Sequence, residues 1–290
     1  MYQFIGQDNI YFYGVAQPAL FDAFQNNRDG KIVGNSFDGL RQTKLIANHH
    51  VLFGNTKASS SGAVKPPSAD ELLDYYTSDQ LRAHWLALGL AQKSVSFSPK
   101  PFETDEAKRN DPRVADPVLK EGTLLTNVFN RLARSCFYTA QKFRNCEVKL
   151  SSPDADIKKY VSQTMDKYEE LMHKAELYSI MQLMDEFIRY ANKYWSDHAS
   201  KIEENDDAYL DNLLTNSFYL LYASALMMHP IVPKGCEKIA ECMNISIDEF
   251  FNWEKFNALE KTLFNNNCYN IKELPPRYDF FRKHDSQYKD

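Results

Sequence analysis

No apolar run in the chain reaches the roughly 18 to 20 residues that a membrane span requires, and no apolar leader opens it. Cysteine is scarce and unhelpfully placed: Cys136, Cys146, Cys236, Cys242 and Cys268 are odd in number, and no two have C-x-x-C spacing. That pattern excludes a disulfide framework, and since the seven histidines do not cluster with the cysteines, it offers no zinc site. An excess of basic charge is also missing. The net charge is −5, so any contact with nucleic acid must rest on a local patch and not on bulk attraction. Internal repeats are absent too. These absences describe a cytoplasmic chain with reduced thiols, no resident metal and no membrane partner. What is present is enough for a folded core: 290 residues, 43% hydrophobic and 13% aromatic.

Texture divides the chain. YQFIG (2–6) and KLIANHHVLF (44–53) read as β-type runs stopped by glycine, and the apolar spacing from Asn9 to Phe24 fits a buried helix between them. Strand, helix, strand is an α/β fragment, and two strands are too few for a doubly wound sheet. The expectation is that more sheet lies before Met1 or is supplied by a partner. NTKASSSGAVKPP (55–67) is by composition a linker. From Ser68 the period changes to 3.6. SADE (68–71) is a capping box that opens a helix towards Tyr76, and a second helix carries Leu81, Trp85 and Leu88.

Residues 99–117, broken by prolines, read as a surface connection. Asp116 and Pro117 then cap a long helix to about Arg144. Amphipathic runs at 155–175, 177–195, 206–228 and 234–243 complete an antiparallel bundle. On the helix 117–144, at 100° per residue, Leu125, Val128, Phe129 and Cys136 fall within about 60° of Leu132. Asn127, Asn130, Arg134, Tyr138 and Gln141 fall on the opposite side, with Asn130 and Arg134 one turn apart. Most of the chain is therefore α-helical.

Three stretches in order, FIGQDNIYFYGVAQPALF (4–21), KASSSG (57–62) with ADELLDYYTSDQLRAHWL (69–86), and NRLAR (130–134), resemble a class I aminoacyl-tRNA synthetase, most closely methionyl-tRNA synthetase. The likeness covers nearly the whole chain but only the second half of such an enzyme, without the HIGH signature. It implies a mainly α protein: a Rossmann-like segment with a KMSKS-like loop at 1–67, connecting helices at 68–115, an anticodon-binding bundle at 116–270, and a tail at 271–290 returning to the catalytic part.

The function implied is methionine:tRNA ligase, forming methionyl-adenylate from methionine and ATP with Mg2+ and then methionyl-tRNA, with CAU anticodon recognition. A separate or deleted amino-terminal half would complete the enzyme, and this chain alone would be inactive. The alternative is a non-catalytic tRNA-binding paralogue with a decayed active site. By the resemblance, Lys57 and Asp8 are catalytic, while Lys57, Ser59, Ser60, Ser61 and Gly62 form the phosphate loop. Ser60 stands where the family has its second lysine and Ala58 where it has methionine. Asp8 and Tyr13 would border the amino-acid pocket. Asn130 and Arg134 would bind anticodon bases, and Trp195, displaced from the family's Pro-Trp position, would stack on one. Arg131, Lys142, Arg144 and Lys149 would attract the anticodon stem.

Overall fold

Ser68 opens the helical part of the chain as its local sequence requires. Its hydroxyl accepts from the Glu71 amide at 3.2 Å, and the Glu71 carboxylate accepts from the Ser68 amide at 2.7 Å. The computed structural model describes residues 2–29, 43–53, 56–57, 65–100, 103, 105–107, 111, 116–202 and 206–288. These form two units, Met1–Pro66 with Leu88–Ser98, and Pro67–Ala87 with Pro99–Asp290. The proline-broken connection at 99–117 and the loop after Lys57 lie largely outside the described residues.

In the first unit, β1 (Tyr2–Gly6) pairs in parallel with β2 (Lys44–Asn48), Gly6 opposite Asn48. Between them a turn at Gln7–Asn9, a π-helical stretch at Phe12–Ala16 and α1 (Gln17–Asp29) carry the chain over. The run 44–53, expected as one strand, is two. β3 (Val51–Phe53) belongs to a second small sheet, antiparallel to β4 (Thr56–Lys57) and parallel to β5 (Val95–Ser96). The break falls at His49 and His50, whose backbone groups bond to Leu90 (2.7 Å) and Val95 (3.2 Å) and so turn the chain from one sheet to the other.

The second unit is a helix bundle: α2 (Ala69–Leu73), α3 (Ser78–Ala87), α4 (Pro117–Thr123), α5 (Asn130–Arg144), α6 (Ala155–Lys174), α7 (Leu177–Ala199), α8 (Asp207–Met228), α9 (Pro233–Cys242), α10 (Ile247–Phe250) and α11 (Phe256–Leu263). Asp116 caps α4, accepting from the Val118 amide at 2.9 Å, and its other oxygen accepts from the Tyr76 hydroxyl at 2.6 Å. A local start signal thus also ties the turn after α2 to α4. The helix α8 is buried from Leu213 to Met228 on every side, as a helix apolar all round must be. Its one amide in that stretch, Asn216, is satisfied by Asp154 and Tyr194 at 2.8 to 2.9 Å.

Leu125, Phe129, Leu132 and Cys136 are all buried, so the core face of the helix 117–144 is where its period puts it. The period does not run unbroken. Leu124–Phe129 is π-helical, the Asn130 amide reaching Leu125 O, and α4 and α5 continue each other through it. A short antiparallel pair, β6 (Glu147–Leu150) with β7 (Asn267–Asn270), closes the bundle.

The polar side of α5 is covered by the carboxyl-terminal tail. Gln141 bonds the Leu274 amide (3.2 Å), and the Tyr138 hydroxyl bridges Pro275 O (2.8 Å) and the Tyr278 amide (2.9 Å). Arg134 Nε donates to Tyr278 O at 2.6 Å, and its guanidinium pairs with the Asp279 carboxylate. Asn130 Nδ2 donates to Phe281 O (2.8 Å) and Asp279 (3.1 Å), while its Oδ1 accepts from the Phe281 amide (2.9 Å). Phe281 stacks on Phe129 with centroids 4.6 Å apart. A Cβ at Gly235 would lie 2.0 Å from the Phe281 ring, so only glycine admits this approach.

Two outcomes test this packing. Asn130→Ala leaves the Phe281 amide and carbonyl buried without their partner, and is expected to cost about 3 kcal/mol, read as a lower urea midpoint with faster hydrogen exchange at the Phe281 amide. His84 on α3 is 4% exposed, and burial holds its pKa down to about 4. The unfolded chain therefore takes up the proton first. Stability from this group is full above the ordinary value near 6.5 and is lost as pH falls towards 4, by about 3 kcal/mol. Asp79 and Glu121, raised by burial, act with the opposite sign. The measurement is accordingly a difference: His84→Gln should narrow the gap in unfolding free energy between pH 7 and pH 4.5.

Candidate functional site

Two groups of side chains named from the sequence are brought together, one in each unit. In the first unit Asp8 follows the carboxyl end of β1 and Lys57 ends β4, and the lysine Nζ lies 3.2 Å from Asp8 Oδ2. The hydrogen bond and charge of Lys57 hold the Asp8 carboxyl below its usual range. Both side chains are more than half exposed, at 55% and 56%, and a pair so well hydrated is weak. A polyanion can therefore take the lysine from its partner. Tyr13 lies further along, in the π-helical stretch, and is 39% exposed. Ser59, Ser60, Ser61 and Gly62 lie outside the described residues.

In the second unit a cleft of about 740 Å³ is lined by Arg131, Arg134, Tyr138 and Lys142 of α5 and by Trp195 of α7. Arg131 is held by Asn192, its Nε donating to Oδ1 at 3.0 Å. The Trp195 indole Nε1 is shielded from water and has no partner among the described residues. A buried N–H without an acceptor is costly, and Trp195 stands in the wall of an open cleft. Trp195 and Arg134 thus share one cleft.

Asn130 does not line it. It is 1% exposed, with both ends of its amide engaged by the tail. The sequence put Asn130 on the helix face away from the core, and that face is where it lies; the tail buries it. Arg144, expected to lend positive charge, is instead neutralised by Asp207 at 2.7 Å and Asp211 at 2.8 Å. Arg131 and Lys142 remain as cations of the cleft. Among the described residues no group of three metal-binding side chains occurs, and no helix is long and apolar enough to cross a membrane.

Residues 1–110 match the model of the family described as tRNA synthetases class I (M). The similarity continues beyond them. The chain is 24% identical to the methionine–tRNA ligase of Wigglesworthia glossinidia brevipalpis over 263 residues, which are 89% of this chain and 42% of that protein. It is 23% identical to the methionine–tRNA ligase of Pyrococcus horikoshii over 266 residues, 88% of this chain and 33% of that protein. Among solved structures, Mycobacterium tuberculosis methionyl-tRNA synthetase in complex with methionyl-adenylate shares the fold, with a TM-score of 0.66 at 20% identity over 96% of this chain and 49% of that one. The chain thus spans half or less of the length of the relatives it matches. The family match over residues 1–110 is continued by similarity to methionine–tRNA ligases over 89% of the chain.

Proposed function

We propose that the chain is the tRNA-recognising part of a methionine:tRNA ligase, and that the cleft between α5 and α7 takes bases of the CAU anticodon. The observation that carries this reading is the unpartnered Trp195 Nε1 in a cleft shared with Arg131, Arg134 and Lys142. Unpaired bases present carbonyl and ring-nitrogen acceptors and a flat face, and are read by such donors and by aromatic stacking. A guanidinium has five N–H donors. The tail engages Arg134 on one side through Tyr278 and Asp279, which fixes its orientation and leaves donors for a base. Asn130 is then a positioning residue, holding the tail that aims Arg134.

The first unit fits the other half of the reaction. A solved relative is a complex with methionyl-adenylate, the joint product of methionine and ATP. Here Lys57 would leave Asp8 for the phosphates of ATP and stabilise charge growing on the departing pyrophosphate, as preorganised cations do in phosphoryl and nucleotidyl transfer. Magnesium would arrive on the ATP phosphates, where it keeps most of its own water and requires few protein ligands. Asp8 would order the pocket beside Tyr13. The rest of that pocket belongs to an amino-terminal half supplied by a longer chain or a second one.

Two measurements decide these readings. Binding of the chain to a CAU-anticodon tRNA should exceed binding to the same tRNA with one anticodon base changed. Trp195→Ala should weaken the CAU complex roughly ten-fold or more, and Arg134→Ala should erase the preference; equal binding of both tRNAs by the parent would refute the cleft's role. Methionine-dependent ATP–pyrophosphate exchange should be absent from this chain alone. When a complementary half restores it, Lys57→Ala should lower the rate by about 100-fold or more.

A further inference from the structure

A second cavity, of about 320 Å³, is lined in part by the tail. Its wall includes Lys234 and Lys238 of α9, Arg282 and His284 of the tail, and Tyr76 and Asp79. Asp79 is 6% exposed. Its Oδ2 accepts from the Gly235 amide at 2.9 Å, in the first turn of α9. Its Oδ1 is shielded from water and has no hydrogen-bond partner among the described residues. A buried carboxylate oxygen left in this way lacks a donor.

The cations show the complementary deficit. Neither Lys234 nor Arg282 makes an ion pair or a side-chain hydrogen bond among the described residues. Lys238 Nζ reaches only Phe280 O, at 3.3 Å. Its ammonium pKa is lowered, first by burial and then by the charge of Arg282 beside it. Three positive charges therefore face one carboxylate at the amino-terminal end of a ten-residue helix. Such an arrangement favours an anion.

We propose that this cavity is a ribonucleotide subsite, with a phosphate between Lys234, Lys238 and Arg282 and a ribose hydroxyl donating to Asp79 Oδ1. The ligand has both deficits answered at once: phosphate oxygens accept from the three cations, and the sugar hydroxyl supplies the missing donor. The volume is at the small end of ligand pockets, which begin at about 300 Å³, and suits one nucleotide unit. None of the cleft's cations or its tryptophan takes part, so the proposal stands apart from the reading of the anticodon. A free ribonucleotide and one unit of an RNA strand share this chemistry.

The test uses the whole chain with 5′-AMP, adenosine, 2′,3′-dideoxyadenosine monophosphate, and a ten-nucleotide single-stranded RNA with its DNA counterpart, by calorimetry at low salt. AMP should bind at least ten-fold more tightly than adenosine and several-fold more tightly than the dideoxy nucleotide. Arg282→Glu, at an exposed position, should abolish that binding without moving the thermal midpoint, and Lys234→Glu should do the same. Trp195→Ala should leave AMP binding unchanged, which separates this site from the cleft. If AMP fails to bind but Arg282→Glu weakens the RNA ten-fold and the DNA remains the poorer ligand, the source is the RNA strand. AMP binding that survives both charge reversals, adenosine binding as well as AMP, or an RNA affinity untouched by them with no AMP binding would overturn the proposal.

Discussion

The second unit depends on one ladder, in which Asn130, Arg134, Tyr138 and Gln141 hold residues 274–281 along the polar side of α5. These positions recur every three or four residues, so they form one stripe of the helix. A strand laid along such a stripe meets a donor or acceptor at each turn. Without the tail, Asn130 Oδ1 would lose its donor and Nδ2 would keep only Thr126 O, and Phe280 and Phe281 would lose their places against Phe137 and Phe129. The ladder also sorts the surface. It removes Asn130 from solvent, orients Arg134 and lends Phe280 and Phe281 to the wall of the cavity lined by Arg282.

Charge in this chain works by local pairing and not by total. With a net charge of −5, attraction of a polyanion depends on which cations lack partners. Arg144 is held by two aspartates, and Lys174 and Lys167 by Glu170. Those pairs leave little positive field around them. Arg131 and Lys142 in the cleft, and Lys234 and Arg282 in the cavity, make no ion pair among the described residues. The field that a nucleic acid would sense at these two places would fall with salt.

What the sequence made legible was what local physics decides. The caps at Ser68 and Asp116 depend on neighbours within four residues, and the helices begin next to them. The core face of α5 follows from a period. The burial of Asn130 does not, because its partners Asp279 and Phe281 lie 149 and 151 residues away. Long-range pairing hid β6 and β7 for the same reason: EVKL and NCYN are too short to read as strands until each finds the other. The loss of Arg144 to Asp207 and Asp211 needed the packing of α5 against α8. The separate roles of Lys57 and Asp8 came from resemblance alone, and their pairing was not legible, since no spacing rule joins residues 49 apart.

The two units differ in how they are held. The bundle buries its apolar side chains almost completely, from Phe129 to Phe281. In the first unit only Ile5 and Phe97 are buried among the described hydrophobic residues, while Phe4, Phe12, Leu20 and Phe24 are 50%, 61%, 68% and 61% exposed. A parallel sheet is ordinarily covered on both faces, and apolar area left in water contributes nothing at about 25 cal/mol per Å². Hydrogen bonds between β1 and β2 cannot replace that term, since a two-stranded sheet is marginal in water. The bundle therefore supplies its own stability, whereas the α/β unit gains its full stability only when those apolar faces are covered. The Lys57–Asp8 pair sits on the less stable of the two, and the precision with which it can meet a phosphate is set by whatever covers that sheet.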